Sequence, residues 1–147
     1  MILAITIMAY KEIGFNKFRR KKMGEVIFTD KAPAAVGPYS QAIKVGNVVY
    51  CSGQVPLVPE TGLLIEGDIK AQAGQALKNV KAVLEEIGAD VTNVVKTTVY
   101  ILDMEDFGPV NEVYADFFGD HKPARSCVAV AELPKGARVE VEVLVVL

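Results

Sequence analysis

The chain has 147 residues, 51% of them hydrophobic, which indicates one globular domain rather than a disordered chain. Its formal net charge of −2 divides unevenly, because residues 1–22 carry +5 and the remainder carries −7. An acidic body without a basic stripe argues against nucleic acid as a partner. No apolar run reaches the roughly 18 residues that a membrane span requires, so no membrane partner is expected.

Residues 1–22 differ in character from the rest of the chain. Met1 to Tyr10 is apolar and Lys17 to Lys22 is basic, which reverses the order found in a signal peptide. A short amphipathic helix on a membrane surface is one interpretation. We favour another, in which residues 1–22 are a dispensable extension or a misassigned start ahead of a single domain at residues 23–147.

The first part of the body predicts three short strands. Glu25 to Thr29 is the first candidate, and Gly37-Pro38 then interrupts regular structure. Ala42 to Val45 and Val48 to Ser52 are apolar runs separated by Gly46-Asn47, a pair typical of a tight hairpin.

Two helices are predicted from the spacing of apolar residues. The first follows the N-cap candidate Asp68 and stops at Gly88, and Pro109 opens the second. In the first helix, spacings of three and four align Ile69, Ala73, Ala76, Leu77, Val80, Leu84 and Ile87. The inner side of the second helix is predicted to carry Val110, Val113, Tyr114, Phe117 and Phe118.

Three further strands complete the predicted domain. They are Val94 to Leu102, Arg125 to Ala131 and Arg138 to Val146. The element order is therefore β-β-β-α-β-α-β-β. It predicts an α+β fold with a mixed six-stranded sheet and two helices on one face.

The last strand indicates what covers the other face of the sheet. Alternation of side chains places Val139, Val141, Val143 and Val145 on one face. The opposite face carries Arg138, Glu140, Glu142, Leu144 and Val146, so it begins charged and ends apolar. Because contiguous exposed apolar patches usually mark interfaces, we expect a closed homo-oligomer with Glu140 at an interfacial cleft.

Cysteine and histidine are scarce in this chain. Cys51 and Cys127 lie far apart without a C-x-x-C spacing, and we expect reduced thiols in a cytoplasmic protein. The single histidine, His121, lies in a polar loop and is expected to be solvated rather than catalytic. With two cysteines and one histidine, the chain has few candidate ligands for zinc and few candidate residues for a Cys–His or Ser–His catalytic pair.

Arg125 is one of only two arginines after residue 22, and it opens an apolar strand. Its guanidinium matches a carboxylate bidentately, and burying it unpaired is costly. The partner could be Glu140 in a structural cross-strand ion pair, or it could be the carboxylate of a ligand. Spacing alone does not decide between the two.

Four other candidates also have two interpretations each. Tyr39 could pack with its hydroxyl at the surface, Ser52 and Gly53 could simply end a strand, and Cys127 could be a small core residue. Alternatively, all four could join Arg125 in a ligand cleft.

A set of motifs occurs in a fixed order over about residues 25–147. They are Gly37-Pro38-Tyr39-Ser40-Gln41-Ala42, Cys51-Ser52-Gly53-Gln54-Val55-Pro56, Val95-Lys96-Thr97-Thr98-Val99-Tyr100, Val110-Asn111, Pro123-Ala124-Arg125-Ser126-Cys127-Val128, Leu133-Pro134-Lys135-Gly136-Ala137 and Val139-Glu140-Val141-Glu142. This set resembles the reactive intermediate deaminase family (RidA, also called YjgF). The Arg-Ser-Cys element followed by Val-Glu-Val-Glu is its most specific part.

The resemblance implies a chorismate-mutase-like fold and a homotrimer with active sites in the clefts between subunits. It also implies hydrolysis of 2-imino acids and their enamines, such as 2-aminoacrylate/2-iminopropanoate and 2-iminobutanoate, to 2-keto acids and ammonia. This is a detoxifying reaction that needs no metal or organic cofactor.

The resemblance also implies roles for individual residues. Arg125 would hold the substrate carboxylate, and Glu140 would position or activate the attacking water. Backbone groups of Gly53 and Cys127 would contact the substrate. The cleft would be lined by Tyr39, Ser52 and Asn111.

Three other functions remain open from the sequence, and one of them is a thiol-linked chaperone role through Cys127. A non-catalytic protein that binds a small carboxylate as a regulatory signal would keep Arg125 and would not need Glu140. A ribonuclease or translation inhibitor is an activity associated with some relatives, and the acidic body argues against it.

Overall fold

The structure is a computed structural model and describes residues 23–147. The interpretation of residues 1–22 as a dispensable extension lies outside the described residues. Between residues 23 and 147, no helix is both long and apolar enough to cross a bilayer.

The described chain contains the predicted strands and helices in the predicted order. The strands are β1 (Glu25–Ile27), β2 (Ala42–Val45), β3 (Val48–Cys51), β4 (Val94–Ile101), β5 (Ala124–Ala129) and β6 (Val139–Val146). The helices are α1 (Ile69–Glu86), which follows β3, and α2 (Phe107–Phe118), which follows β4. The predicted ends differ from these by one or two residues at most.

The six strands form one mixed sheet in the order β1-β2-β3-β6-β4-β5. Only β4 and β5 pair in parallel, and the other neighbours are antiparallel. The hairpin predicted at Gly46-Asn47 joins β2 to β3, where Val45 pairs with Val48. The α+β prediction is confirmed, and β5 forms one edge of the sheet.

Residues at the ends of the two helices explain where each helix begins or ends. Asp68 caps α1 by accepting a hydrogen bond from the Ala71 N–H at 2.9 Å, and Gly88 follows the helix with a φ of 68°. The second helix begins at Phe107, two residues before the predicted start. Pro109 therefore lies within the first turn, where a missing N–H breaks no intrahelical bond.

Both helices cover the same face of the sheet. The four valines Val139, Val141, Val143 and Val145 are buried beneath the helices, as alternation predicts. On the opposite face Tyr50 and Val128 are exposed. In the described part of the protomer no helix covers this second face, which carries apolar residues beside the charged Glu140 and Glu142.

Arg138 has a structural role that the sequence did not reveal. Predicted as the first residue of the last strand, it lies one residue before β6, and its Nη2 contacts both carboxylate oxygens of Asp106, at 2.6 and 2.8 Å. Its backbone N–H also donates to Gln72 Oε1 at 2.9 Å. Because Asp106 is buried, this ion pair fixes the start of β6 against both helices.

The contrast between the two arginines of the body gives a stability prediction. We expect Arg138→Gln to lower the free energy of unfolding by about 1–3 kcal/mol, because it leaves the buried Asp106 carboxylate unpaired. The matched change Arg125→Gln should cost less than about 0.5 kcal/mol, since no carboxylate loses a partner. Urea denaturation of both variants measures this difference, and equal losses would contradict it.

Candidate functional site

The predicted site residues fall into two groups at different places on the protomer. One group lies at the β5 edge beside α2 and consists of Arg125, Cys127 and Asn111. The other group lines a cavity at the opposite face of β6 and consists of Tyr39, Ser52, Gly53 and Glu140. The structure brings the members of each group together, but it does not bring the two groups together within one chain.

Arg125 and Glu140 do not form the cross-strand ion pair that was one interpretation of the sequence. Strand β4 lies between their strands, and its Thr97 pairs with both Arg125 and Val143, whereas its Tyr100 pairs with Glu140. Two strand spacings and three residues of offset separate their Cα atoms by about 14 Å. Because Thr97 and Tyr100 point to opposite faces, so do Arg125 and Glu140.

Arg125 is exposed and has no acidic partner within residues 23–147. Its Nη1 donates to the side-chain oxygen of Asn111 at 2.8 Å. Its Cζ lies 4.6 Å from the ring centroid of Tyr114 and 5.7 Å from that of Phe107. A guanidinium held only by an amide and two aromatic rings keeps its full positive charge for an incoming anion.

Cys127 lies two residues beyond Arg125 on the same side of β5 and is partly buried against the core. Burial raises the pKa of its thiol, and the Arg125 charge opposes that rise only in part. Burial and the charge of Glu142 raise the pKa of the other thiol, Cys51, to about 12. Neither cysteine is therefore an activated thiolate nucleophile.

The second group surrounds a cavity of about 350 Å³. Most of its wall area is apolar, with contributions from Val36, Val55 and Leu57, and Glu140 and Lys135 add charged groups. Tyr39 forms part of the rim and is half exposed, so its ring is accessible to a ligand. Such a cavity suits a small molecule that carries polar groups.

Gln41 anchors one wall of this cavity, and the sequence analysis missed it. Its buried amide group donates to the carbonyls of Thr29 and Pro33, each at 2.9 Å, and its oxygen accepts from the Thr29 N–H at 2.7 Å. These bonds hold the irregular segment that carries Pro33 and Ala34. The signal in the sequence was a glutamine directly before the apolar strand β2.

The Ser52 hydroxyl is already engaged in a structural contact. Its Oγ donates to the carbonyl of Ser40 at 2.6 Å, while its backbone N–H donates to the Gln41 carbonyl at 2.9 Å. These bonds fix the segment carrying Tyr39 beside the end of β3. Ser52 thus lines the cavity and holds its rim, and no histidine or carboxylate of residues 23–147 bonds to it as an activating base would.

Gly53 allows the carboxyl group of Glu140 to lie against the backbone. A Cβ placed on Gly53 would lie 1.8 Å from Glu140 Oε1, well inside any permitted contact. A side chain at this position would force the Glu140 carboxyl group to move, so glycine here does more than end a strand.

Glu140 has an environment that makes it a better base than an ordinary carboxylate. Burial is the larger cause that raises its pKa, and the negative charge of Glu142 adds to the rise. Glu142 is itself within 3.3 Å of the Tyr100 hydroxyl, which donates to it. A carboxylate with a raised pKa accepts a proton from water more readily.

Comparison with known proteins identifies relatives over most of the chain. The family described as Endoribonuclease L-PSP matches residues 29–147. A RutC family protein of Pyrococcus abyssi is 54% identical over 120 residues, covering 82% of this chain and 94% of that protein. The 2-iminobutanoate/2-iminopropanoate deaminase of Mus musculus is 52% identical over 122 residues, covering 83% of this chain and 90% of that enzyme.

A solved structure extends the comparison to the fold. The crystal structure of Escherichia coli TdcF with bound serine superposes with a TM-score of 0.80 at 44% sequence identity. The match covers 84% of this chain and 98% of that one. A close structural match at this identity confirms the expected fold.

The contact between Gly53 and Glu140 gives a prediction about titration. We expect Gly53→Ala to push the Glu140 carboxyl group out of its buried position, so that its pKa falls back toward the ordinary value. NMR titration of the Glu140 side chain measures this change. Gly74→Ala is the matched control, because no atom lies within 4 Å of a Cβ there. A Glu140 pKa that is the same in Gly53→Ala as in the wild type would refute the steric interpretation.

The raised pKa of Glu140 also predicts how stability depends on pH. A carboxyl group whose pKa is higher in the folded than in the unfolded chain opposes folding once it ionises. We therefore expect Glu140→Gln to raise the free energy of unfolding at pH 7. This gain should disappear below about pH 4, where Glu140 is protonated in both states. Denaturation of the wild type and the variant at both pH values measures it. A gain that persists at the lower pH would have a cause other than charge.

Proposed function

The chain belongs to the RidA/YjgF family, which is also described as Endoribonuclease L-PSP, and from this premise we propose that it hydrolyses reactive 2-imino acids. The substrates are 2-iminopropanoate, 2-iminobutanoate and the enamines in equilibrium with them, and the products are 2-keto acids and ammonia. Relatives that carry the name of this activity are about half identical to the chain.

The observation that carries this proposal is the free guanidinium of Arg125. A 2-imino acid has a carboxylate next to its electrophilic carbon, and Arg125 has no carboxylate partner within residues 23–147. A bidentate contact with the substrate carboxylate would fix the position of C2. TdcF, which binds serine in its crystal structure, has a ligand with the same carboxylate group.

We further propose that each active site is built from two subunits of a homotrimer. Arg125, Asn111 and Cys127 of one subunit face the cavity of the next, which contributes Glu140 and Gly53. The separation of the two groups supports this arrangement, because one small substrate cannot reach both within a protomer. The face of the sheet that no helix covers, where Tyr50 and Val128 are exposed, supplies a surface for the association.

The chemistry is a hydration followed by elimination of ammonia. Glu140 accepts a proton from water as the water oxygen bonds to C2, and it passes this proton to the imine nitrogen as the C=N double bond becomes a single bond. In the resulting carbinolamine, Glu140 removes the hydroxyl proton and passes it to the nitrogen, so that the C=O double bond forms as the C–N bond breaks and ammonia leaves. The carboxylate of Glu140 takes and returns these protons as a general base and acid.

The residues in the site suffice for a reaction of modest difficulty. Imines are already electrophilic, so orientation by Arg125 and proton transfer by Glu140 can accelerate hydrolysis without a covalent nucleophile. The tyrosine Tyr39 and the backbone at Gly53 and Cys127 would confine the substrate. Because Cys51 and Cys127 are free thiols, we place this reaction in the cytoplasm.

A mixing experiment tests both the activity and the shared site. We expect Arg125→Ala and Glu140→Gln each to lose about a hundredfold or more of kcat/KM for ammonia release from freshly generated 2-iminobutanoate. Trimers co-expressed from equal amounts of the two variants should regain about a quarter of the wild-type rate. The reason is that random assembly pairs an intact Arg125 with an intact Glu140 of the neighbour in about one site of four.

The controls separate the possible failures of this experiment. Size-exclusion chromatography must show that each variant keeps the wild-type oligomeric state. If the mixture is no more active than the single variants, both residues of a site come from the same subunit. If either single variant keeps wild-type rates, the roles proposed for that residue are wrong.

A further inference from the structure

Three residues on one stripe of helix α2 contact the Arg125 side chain. Phe107, Asn111 and Tyr114 are spaced by four and then three residues, which places them on the same side of the helix. Their contacts to the guanidinium are a ring at 5.7 Å, a hydrogen bond of 2.8 Å and a ring at 4.6 Å. The helix therefore supports this side chain along its length.

Tyr114 is the most firmly fixed of the three. Its ring is buried, and its hydroxyl shares a hydrogen bond of 2.8 Å with Thr97 Oγ1, on a residue that is fully buried. Thr97 is also the residue directly opposite Arg125 in the β4–β5 pairing. The ring is thus anchored to the strand that neighbours Arg125, and it lies against Phe118 at 4.5 Å between centroids.

We propose that Tyr114 is a positioning residue that holds the Arg125 guanidinium by the face of its ring and keeps it aimed at the substrate carboxylate. This inference rests on the proposed function and deepens it. A contact with a ring face uses none of the N–H donors, so they remain free for a ligand. A protein carboxylate in the same place would occupy those donors and neutralise the charge.

The exposure of Arg125 explains why such support is needed. An arginine side chain has many rotamers, and ordering it only when the substrate arrives reduces affinity. The ring of Tyr114 and the amide of Asn111 restrict that freedom in advance. The guanidinium is then pre-organised without being neutralised.

Two variants at Tyr114 distinguish the contribution of the ring from that of the hydroxyl group. Tyr114→Phe keeps the ring and loses the hydrogen bond to Thr97, whereas Tyr114→Leu loses both. Phe118→Leu is the matched control, because it removes an equally buried aromatic ring from the same helix that has no contact with Arg125. General loosening of the helix would affect the two leucine variants alike.

The first measurement compares how tightly the protein binds a ligand with a carboxylate and the same ligand with a neutral amide in its place. Binding of 2-oxobutanoate and of its amide, 2-oxobutanamide, is measured by calorimetry for each variant. We expect Tyr114→Leu to reduce the ratio of the two affinities about five- to thirtyfold, which corresponds to loss of a cation–π contact. Tyr114→Phe and Phe118→Leu should keep the wild-type ratio.

The second measurement does not depend on any ligand or activity. Nitrogen-15 relaxation of the Arg125 Nε–H group reports how ordered the side chain is in the free protein. We expect high order in the wild type, Tyr114→Phe and Phe118→Leu, and a marked loss in Tyr114→Leu. This readout follows the positioning of the guanidinium itself.

The outcomes distinguish this inference from the proposed function. If the wild type releases no ammonia from imines, the proposed function fails, and Arg125 relaxation still decides the role of Tyr114. If Tyr114→Leu leaves Arg125 as ordered as in the wild type, the inference is overturned. It is also overturned if Phe118→Leu loses order or carboxylate preference as much as Tyr114→Leu does.

Discussion

The rest of the candidate site depends on how Arg125 is held. The guanidinium is fixed by an amide oxygen 2.8 Å away and by two aromatic rings, and no carboxylate of residues 23–147 neutralises it. The other arginine of the body shows the opposite arrangement, since Arg138 is paired with the buried Asp106 and stabilises the fold. The two arginines therefore differ in their partners: Arg138 is paired with a carboxylate in the fold, and Arg125 is the one that we propose binds a ligand.

The proposed reaction also requires a base near the substrate, and Glu140 is a partly buried carboxylate that could serve as this base. Gly53 provides the space, because any side chain there would displace the Glu140 carboxyl group. Burial and the charge of Glu142 then raise the pKa of Glu140. This environment disfavours the ionised form of Glu140. The ionised carboxylate therefore lowers the stability of the fold, and it accepts a proton more readily.

The sequence predicted local features well because they depend on neighbouring residues. Apolar spacing predicted both helices, alternation predicted the two faces of β6, and the position of Arg125 at the start of an apolar strand marked it as a candidate. It could not give the strand order, in which β6 lies between β3 and β4, because that depends on distant pairings. For the same reason it left the Arg125–Glu140 ion pair open, and it assigned Tyr114 only to the inner side of a helix.

The central claim is that Arg125 binds the carboxylate of a 2-imino acid at a site completed by Glu140 of another subunit. A crystal structure of the full chain with 2-oxobutanoate, the stable keto-acid product, tests this most directly. We expect both carboxylate oxygens within hydrogen-bond distance of the Arg125 guanidinium, and C2 facing Glu140 of the neighbouring copy. A ligand bound away from Arg125, or Arg125 paired with an acidic side chain of its own chain, would contradict it.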